Sequence, residues 1–370
     1  MRLGVSAALV DGELVGGDVT IEDGEVAAVG VSPAGAGGTA VPGFVDVHTN
    51  GVAGVDFLSA NAAGLHDAAR ALAGTGVVAF QPTLVSSPEG DYREPLAAAG
   101  EAVGVARGQP LVTGVHLEGP FLSPRWPGAH DPAHLRPADT PMARRLCELG
   151  PVGMMTVAPE LPSALELIAS LRAAGVVVSC GHSDADAAQA HAGFDAGATA
   201  VTHLHNAHRR FKARDPGLGG VALVRGDVTV QAIVDGVHLA PEAAYGAFLA
   251  AGPRFCLVTD AIEAALGGPG EYELGGRAVT VLDGAARLAD GTLAGSVLTL
   301  DQAVRNLVAC GAGLEQAVHA AATAPARLLG RGDLGVLRPG APAHLTVLDG
   351  ELSVTRTVVG GAEAFVRSWA

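Results

Sequence analysis

Glu118, His182, His203 and Asp260 each close an apolar run of this sequence. Residues 111–118 read L-V-T-G-V-H-L-E before Gly119 and Pro120; residues 176–182 read V-V-V-S-C-G-H, 200–203 A-V-T-H, and 255–260 F-C-L-V-T-D. Short apolar runs that stop at Gly, Pro or a polar residue have the length of buried parallel strands. A carboxylate at the end of such a strand has lost hydration and needs a cation, a metal or a proton. For Glu118 alone an arginine partner would serve as well. Two imidazoles placed the same way shift the reading. One carboxylate with two histidines is a donor set suited to Zn²⁺ or Fe²⁺, with a coordination position open for water. Asp260 has the type and place of a general base that takes a proton from such a water and returns it to a leaving amine. An N-cap or a second metal ligand is the other use of an aspartate there.

Those positions need a scaffold that gathers strand ends. Strands are expected over 43–48, 77–82, 111–117, 153–157, 176–180, 200–203, 229–233 and 255–259. Ala-rich stretches predict helices over 64–73, 92–106, 164–174, 184–196, 241–251, 300–310 and 314–321. Strands alternating with helices predict an α/β fold, a (β/α)8 TIM-like barrel and not an open doubly wound sheet. Such a barrel carries its site at the C-terminal strand ends. The first strand ends V-D-V-H-T-N, alternating Asp46, His48 and Asn50 on one face, and the seventh leads into Asp235 and His238. No G-x-G-x-x-G or P-loop fingerprint occurs, so a nucleotide-binding role has no support.

The two ends of the chain differ from its middle. Short strands between glycines are expected over 7–10, 18–21 and 26–29, and again over 343–348, 355–359 and 364–366. Either set alone would bury too little, so residues 1–43 and 335–370 predict one small β-sandwich domain formed from both termini, with 44–334 as the barrel.

Bulk composition narrows the function. With 370 residues, 49% hydrophobic, 16% charged and 52 glycines, the chain has a large core and many tight turns. A net charge of −15 argues against nucleic acid or an anionic membrane as partners, and an anionic substrate would need a local basic pocket. Cys147, Cys180, Cys256 and Cys310 form no C-x-x-C pair, which gives no disulfide framework and no thiolate zinc site. No signal peptide or membrane-spanning run is found, and a cytoplasmic protein is expected.

The strand ends sit inside a longer series of motifs. They are P-G-F-V-D-V (42–47), P-T-L (82–84), H-L-E-G-P-F (116–121), P-G-A-H-D-P (127–132), C-G-H-S (180–183) and T-H-L-H-N-A (202–207). The series continues with R-D-P-G-L-G-G (214–220), D-G-V-H (235–238), L-V-T-D-A (257–261) and G-T-L-A-G-S (291–296). In this order, over nearly the whole chain, they resemble the N-acetylglucosamine-6-phosphate deacetylase family of the amidohydrolase superfamily. The resemblance implies hydrolysis of N-acetylglucosamine 6-phosphate to glucosamine 6-phosphate and acetate, with one divalent metal, Zn or Fe, per chain held by Glu118, His182 and His203. It makes Asp260 the acid/base and implies substrate contacts at Ala129, His130, Asn206, Ala207, Arg214, Asp235 to His238, and Leu293, Ala294 and Gly295. It also implies a homodimer in which a neighbouring subunit completes the phosphate site.

Those roles suit the residue types. Arg214 and His238 bring the positive charge a phosphate needs, Asn206 and the Ala207 N–H add donors, and His130 can polarise the amide carbonyl. Three departures stand out. Many superfamily members carry H-x-H after the first strand and bind two metals; here the pair is His48 and Asn50, and an amide replaces imidazole poorly. A second metal at His48 is therefore not expected, and His48 is left to contact substrate or support the ligands. His205 and His208 stand where other residues are usual, and with Arg209, Arg210 and Lys212 they make a basic loop.

Overall fold

The computed structural model describes residues 1–104 and 107–367. Its centre is a parallel barrel of eight strands: β1 (Phe44–Thr49), β2 (Val77–Val85), β3 (Val115–Glu118), β4 (Val152–Val157), β5 (Val177–Cys180), β6 (Ala200–Val201), β7 (Thr229–Ala232) and β8 (Phe255–Leu257). Each pairs with its sequence neighbour in parallel, from Phe44 beside Val77 in the first pair to Ala232 beside Leu257 in the last. Between β8 and β1 a few contacts replace the ladder. The Asp260 N–H donates to the His48 carbonyl at 2.8 Å, and the Asn50 N–H donates to the Ala261 carbonyl at 2.7 Å. The Thr259 hydroxyl donates to Asp46 Oδ2 at 2.6 Å, so the buried Asp46 ties this seam and does not join the site.

Helices cover the barrel with apolar faces. In Ala164–Ala173 the buried residues are Ala164, Leu167, Ile168 and Leu171, a helical stripe set against the strands. Capping fixes the starts: Asn61 begins Ala62–Ala73, and Asp186 with Gln189 forms a capping box on Ala187–Ala196. That box explains why the helix expected from 184 starts three residues later. The helix expected over 92–106 runs Arg93–Ala102, and its last two expected residues lie outside the described ones. The helix expected over 314–321 stops at Val318, where a π turn, His319–Thr323, leads into Ala324–Leu328.

The strand expected over 111–117 is two pieces, Leu111–Val112 and β3. Gly114 breaks it: its φ is +124°, and a Cβ there would stand 3.0 Å from the Pro151 carbonyl oxygen. Helices Thr140–Leu149 and Gly217–Val224, and an antiparallel sheet of Gly270–Leu274, Arg277–Leu282 and Ala285–Arg287, were not expected from the sequence. That sheet packs its inner residues Leu274, Val279, Val281 and Ala286 on Val85, Ile262 and Ala294 beside the strand ends.

Both termini build one further sheet, in the order Glu13–Gly16, Ala7–Val10, Thr39–Pro42, Leu345–Leu348, Val354–Val359, Ala362–Val366. The hairpin Asp18–Glu22 with Glu25–Val31 covers it, and Val19, Ile21 and Val26 share a core with Ala8, Ala40, Leu345, Val347 and Val358. Thr346 and Thr357 hydroxyls join this layer to the barrel through the carbonyls of Gly76 and Ala73, both at 2.7 Å. Among the described residues no helix is long and apolar enough to cross a membrane.

Candidate active site

Glu118 is the last residue of β3, beside Thr156 of β4 and Val85 of β2. Gly119 turns the chain away at φ +95°, where a Cβ would lie 2.3 Å from the Ser86 hydroxyl; only glycine fits. His182, His203 and Asp260 follow β5, β6 and β8, and all three hold left-handed backbones, with φ of 47°, 28° and 49°. Non-glycine residues avoid that region, and each such residue costs about 1–3 kcal/mol that the surrounding fold must outweigh. Three of the four residues singled out by type and strand-end place are thus among the twelve described non-glycine residues with positive φ.

The side chains converge. Glu118 Oε1 lies 3.1 Å from His182 Nε2 and 2.9 Å from His203 Nε2, and the two nitrogens are 3.1 Å apart. His182 Nδ1 is 2.9 Å from the Trp126 carbonyl, which can only accept, so the neutral ring carries its proton on Nδ1 and turns a lone pair inward. The Trp126 indole N–H in turn donates to Asp184 at 2.8 Å. Beneath these side chains, His116 is buried with Nε2 2.8 Å from the Thr156 hydroxyl, which continues through Thr202 to Ser179. His208 is buried too, its Nε2 donating to the Thr202 carbonyl at 2.8 Å. It supports the His203 turn and is not a solvated part of the basic loop.

Two further histidines flank the Glu118 carboxylate. His130 Nε2 and His48 Nε2 both lie 3.4 Å from Oε2. The Ser86 N–H donates to His130 Nδ1 at 3.1 Å, which leaves the His130 proton on Nε2, pointing into the site. His48 Nε2 is also 3.2 Å from Asp260 Oδ1. Burial disfavours an imidazolium at His48, but the Glu118 and Asp260 carboxylates outweigh it and raise its pKa well above the usual histidine value. Burial likewise opposes ionisation of Glu118, yet the His48 charge and the bond from His130 hold its pKa well below the usual carboxylate range. The Asn50 side chain donates to Asp260 Oδ1 at 2.6 Å.

These groups open into a cavity of about 510 Å³. Of the residues expected from the sequence, Glu118, Ala129, His130, His182, Asn206, Ala207, His203, His238, Asp260, Leu293 and Gly295 line it. Three do not. Ala294 is buried in the core under the antiparallel sheet. Asp235 stands behind His238, whose Nδ1 is 2.7 Å from Asp235 Oδ2. Arg214 is exposed and outside the lining, while Arg210, from the same loop, is part of it. Arg125, Trp126 and Arg287 also line the cavity and were missed, since each sits in a turn or edge strand with no periodic signal. Trp126 had one clue, its place directly before P-G-A-H. Arg277 secures this wall by donating to the Ala129 carbonyl at 3.0 Å.

The donor chemistry fits a divalent metal. The inward lone pair of His182 Nε2, His203 Nε2 and a carboxylate oxygen meet within 3.1 Å of one another; a proton can join only one pair of them, whereas a cation satisfies all three. Tetrahedral zinc with bonds of about 2.0–2.1 Å spaces its ligands roughly 3.3 Å apart, close to what these atoms show. Two other triplets, Glu118 with His130 and His182, and His48 with Glu118 and Asp260, also have donor atoms within 4.8 Å of one another. The proton on His130 Nε2 makes it the weaker ligand of the first.

Comparison with known proteins gives a consistent picture. Residues 39–368 match the model of the Amidohydrolase family. The chain is 40% identical over 325 residues to the N-acetylglucosamine-6-phosphate deacetylase of Bos taurus, covering 83% of this chain and 78% of that protein. It is 36% identical over 292 residues to the N-acetylgalactosamine-6-phosphate deacetylase of Escherichia coli O157:H7, covering 77% of each. A solved structure of the N-acetyl-D-glucosamine-6-phosphate deacetylase of Mycobacterium smegmatis, in complex with N-acetyl-D-glucosamine-6-phosphate, superposes with a TM-score of 0.93 at 37% identity over 99% of both chains.

Proposed function

The chain belongs to the amidohydrolase family and, within it, to the N-acetylglucosamine-6-phosphate deacetylases; on that premise we propose that it hydrolyses the acetamido bond of N-acetyl-D-glucosamine 6-phosphate, giving D-glucosamine 6-phosphate and acetate. The observation that carries this reading is the convergence of Glu118 Oε1, His182 Nε2 and His203 Nε2 in the cavity that Asp260 also lines.

One divalent metal, zinc or iron, is proposed on Glu118, His182 and His203; when bound, it lowers the pKa of water and polarises the acetamide oxygen. Asp260 takes the proton of the attacking water, whose oxygen bonds to the acetyl carbon. The His130 Nε2–H donates to the carbonyl oxygen as it gains negative charge. Asp260 then gives its proton to the nitrogen as the carbon–nitrogen bond breaks, and the amine leaves. His238, braced by Asp235, and the basic side chain of Arg210 hold the phosphate, with Asn206 and the Ala207 N–H placing the sugar. Arg214 keeps its proposed phosphate role, exerted from outside this chain's own cavity lining, in the setting of a homodimer. The proposed units are residues 1–43 with 335–370, and 44–334. We place the protein in the cytoplasm, where phosphorylated sugars are retained.

N-acetylgalactosamine 6-phosphate is the second reading, favoured by the Escherichia coli relative. Acetate release from N-acetylated glucosamine, galactosamine and mannosamine 6-phosphates, and from unphosphorylated N-acetylglucosamine, separates them. The glucosamine phosphate is expected to give the highest kcat/KM. No acetate from any sugar phosphate would overturn the proposal.

A further inference from the structure

Asn50 occupies the second position of the first-strand pair, where an amide is a poor metal ligand, and the structure gives it other work. Its Nδ2 is 2.6 Å from Asp260 Oδ1, and His48 Nε2 approaches the same oxygen at 3.2 Å. Among the described residues no hydrogen bond or ion pair reaches Asp260 Oδ2. The amide has only one workable orientation: turned over, its oxygen would face a carboxylate oxygen at that same short distance. Asn50 Oδ1 is left buried without a partner among the described residues, so the contact to Asp260 is held at the expense of an unpaired acceptor.

The backbone holds the pair in register. The N–H groups of Asn50 and Gly51 both donate to the Ala261 carbonyl, at 2.7 and 3.0 Å, and the Asp260 N–H donates to His48. Gly295, at φ +60°, leaves the room: a Cβ there would stand 2.8 Å from the Asp260 carbonyl oxygen and 3.9 Å from Asn50 Nδ2.

We propose that Asn50 is a positioning residue for the hydrolysis: its side-chain N–H locks the Asp260 carboxylate by Oδ1, so that Oδ2 is the oxygen that carries the proton from water to the leaving amine. The Asn50 donor on Oδ1 favours negative charge there and leaves the proton to the open oxygen. Without the lock the carboxylate rotates, and the proton-carrying oxygen spends less time aligned with the reacting atoms. The inference rests on Asp260 being the acid/base.

The test uses metal-replete enzyme with Asn50→Ala and, to guard against loss of fold, the nearly isosteric Asn50→Leu, which removes the donor at similar volume. Four quantities are measured: kcat and KM for N-acetyl-D-glucosamine 6-phosphate, the Kd of D-glucosamine 6-phosphate by calorimetry, metal content, and the orientation of Asp260 in a crystal structure of Asn50→Ala. A kcat lower by about 10- to 100-fold is expected, with KM and the product Kd within about threefold, metal content unchanged and Asp260 rotated. A kcat within about twofold of the parent, loss of metal in step with activity, or an unmoved Asp260 would overturn it. Asp260→Asn is the separating control: full turnover there removes the acid/base assignment itself, whereas inactive Asp260→Asn beside fully active Asn50→Ala defeats only the role of Asn50.

Discussion

His182 Nε2 and His203 Nε2 stand 3.1 Å apart, each within 3.1 Å of the same Glu118 oxygen. A proton on His203 Nε2 joins it to that oxygen but leaves the inward lone pair of His182 unmatched, so the cluster suits a cation. About one tightly bound divalent metal per chain is the expected result of elemental analysis on metal-replete protein. Chelation should remove metal and turnover together and lower the thermal midpoint, because the metal binds only the folded site. Two tight metals per chain would instead assign the His48, Glu118 and Asp260 triplet as a second site.

Phosphate recognition is the next point of exposure. His238 lines the cavity and is braced by Asp235, whose carboxyl stays below its usual range because the His238 contact and two backbone N–H groups outweigh burial. His238→Gln and Arg210→Ala should each lower kcat/KM for the sugar phosphate by about ten- to a hundredfold, the loss of a contact of roughly 1.5–3 kcal/mol. Unphosphorylated N-acetylglucosamine should be affected much less. Arg214→Ala should act in the same direction if its side chain reaches phosphate in the assembled oligomer. Equal losses on both substrates for any of the three would remove that residue from the phosphate site.

The convergence of Glu118, His182, His203 and Asp260 was legible because chemistry and periodicity coincide at them: a buried strand must end, and these are the residues at or just after its end. The fold followed from the same runs, since eight of them with intervening helices leave few alternatives. What stayed hidden has no period to betray it. Arg125, Trp126 and Arg287 reach the cavity from turns and an edge strand, and their approach depends on how distant loops fold back. The antiparallel sheet 270–287 has no clear signal because its strands are short and the apolar Ala278 and Leu282 fall on the exposed face, which blurs the alternation of buried and exposed positions. The left-handed backbones of His182 and His203 belong to the turns after β5 and β6, and no residue pattern there announces them.

Gly119 ties the fold to the site. Its φ of +95° and the 2.3 Å approach of the Ser86 hydroxyl to any Cβ make Gly119→Ala a direct test of how tightly Glu118 is held. The substitution should cost roughly 1–3 kcal/mol of stability from backbone strain, and further from the clash. Thermal unfolding should show a lower midpoint, and metal affinity should fall because Glu118 shifts with the turn. An unchanged midpoint with full metal content would show that this turn tolerates a side chain.

The proposed hydrolysis depends most on Asp260, which must be ionised before attack and protonated when the amine leaves. Asp260→Asn keeps the shape of the side chain but carries no exchangeable acid proton. The decisive measurement is metal occupancy and kcat on one sample of that variant. Near-full metal occupancy with kcat lowered by about 10²–10⁴ is the expected result, the usual contribution of positioned proton transfer. Metal lost in step with activity would make Asp260 chiefly a ligand, and full occupancy with full turnover would contradict the mechanism outright.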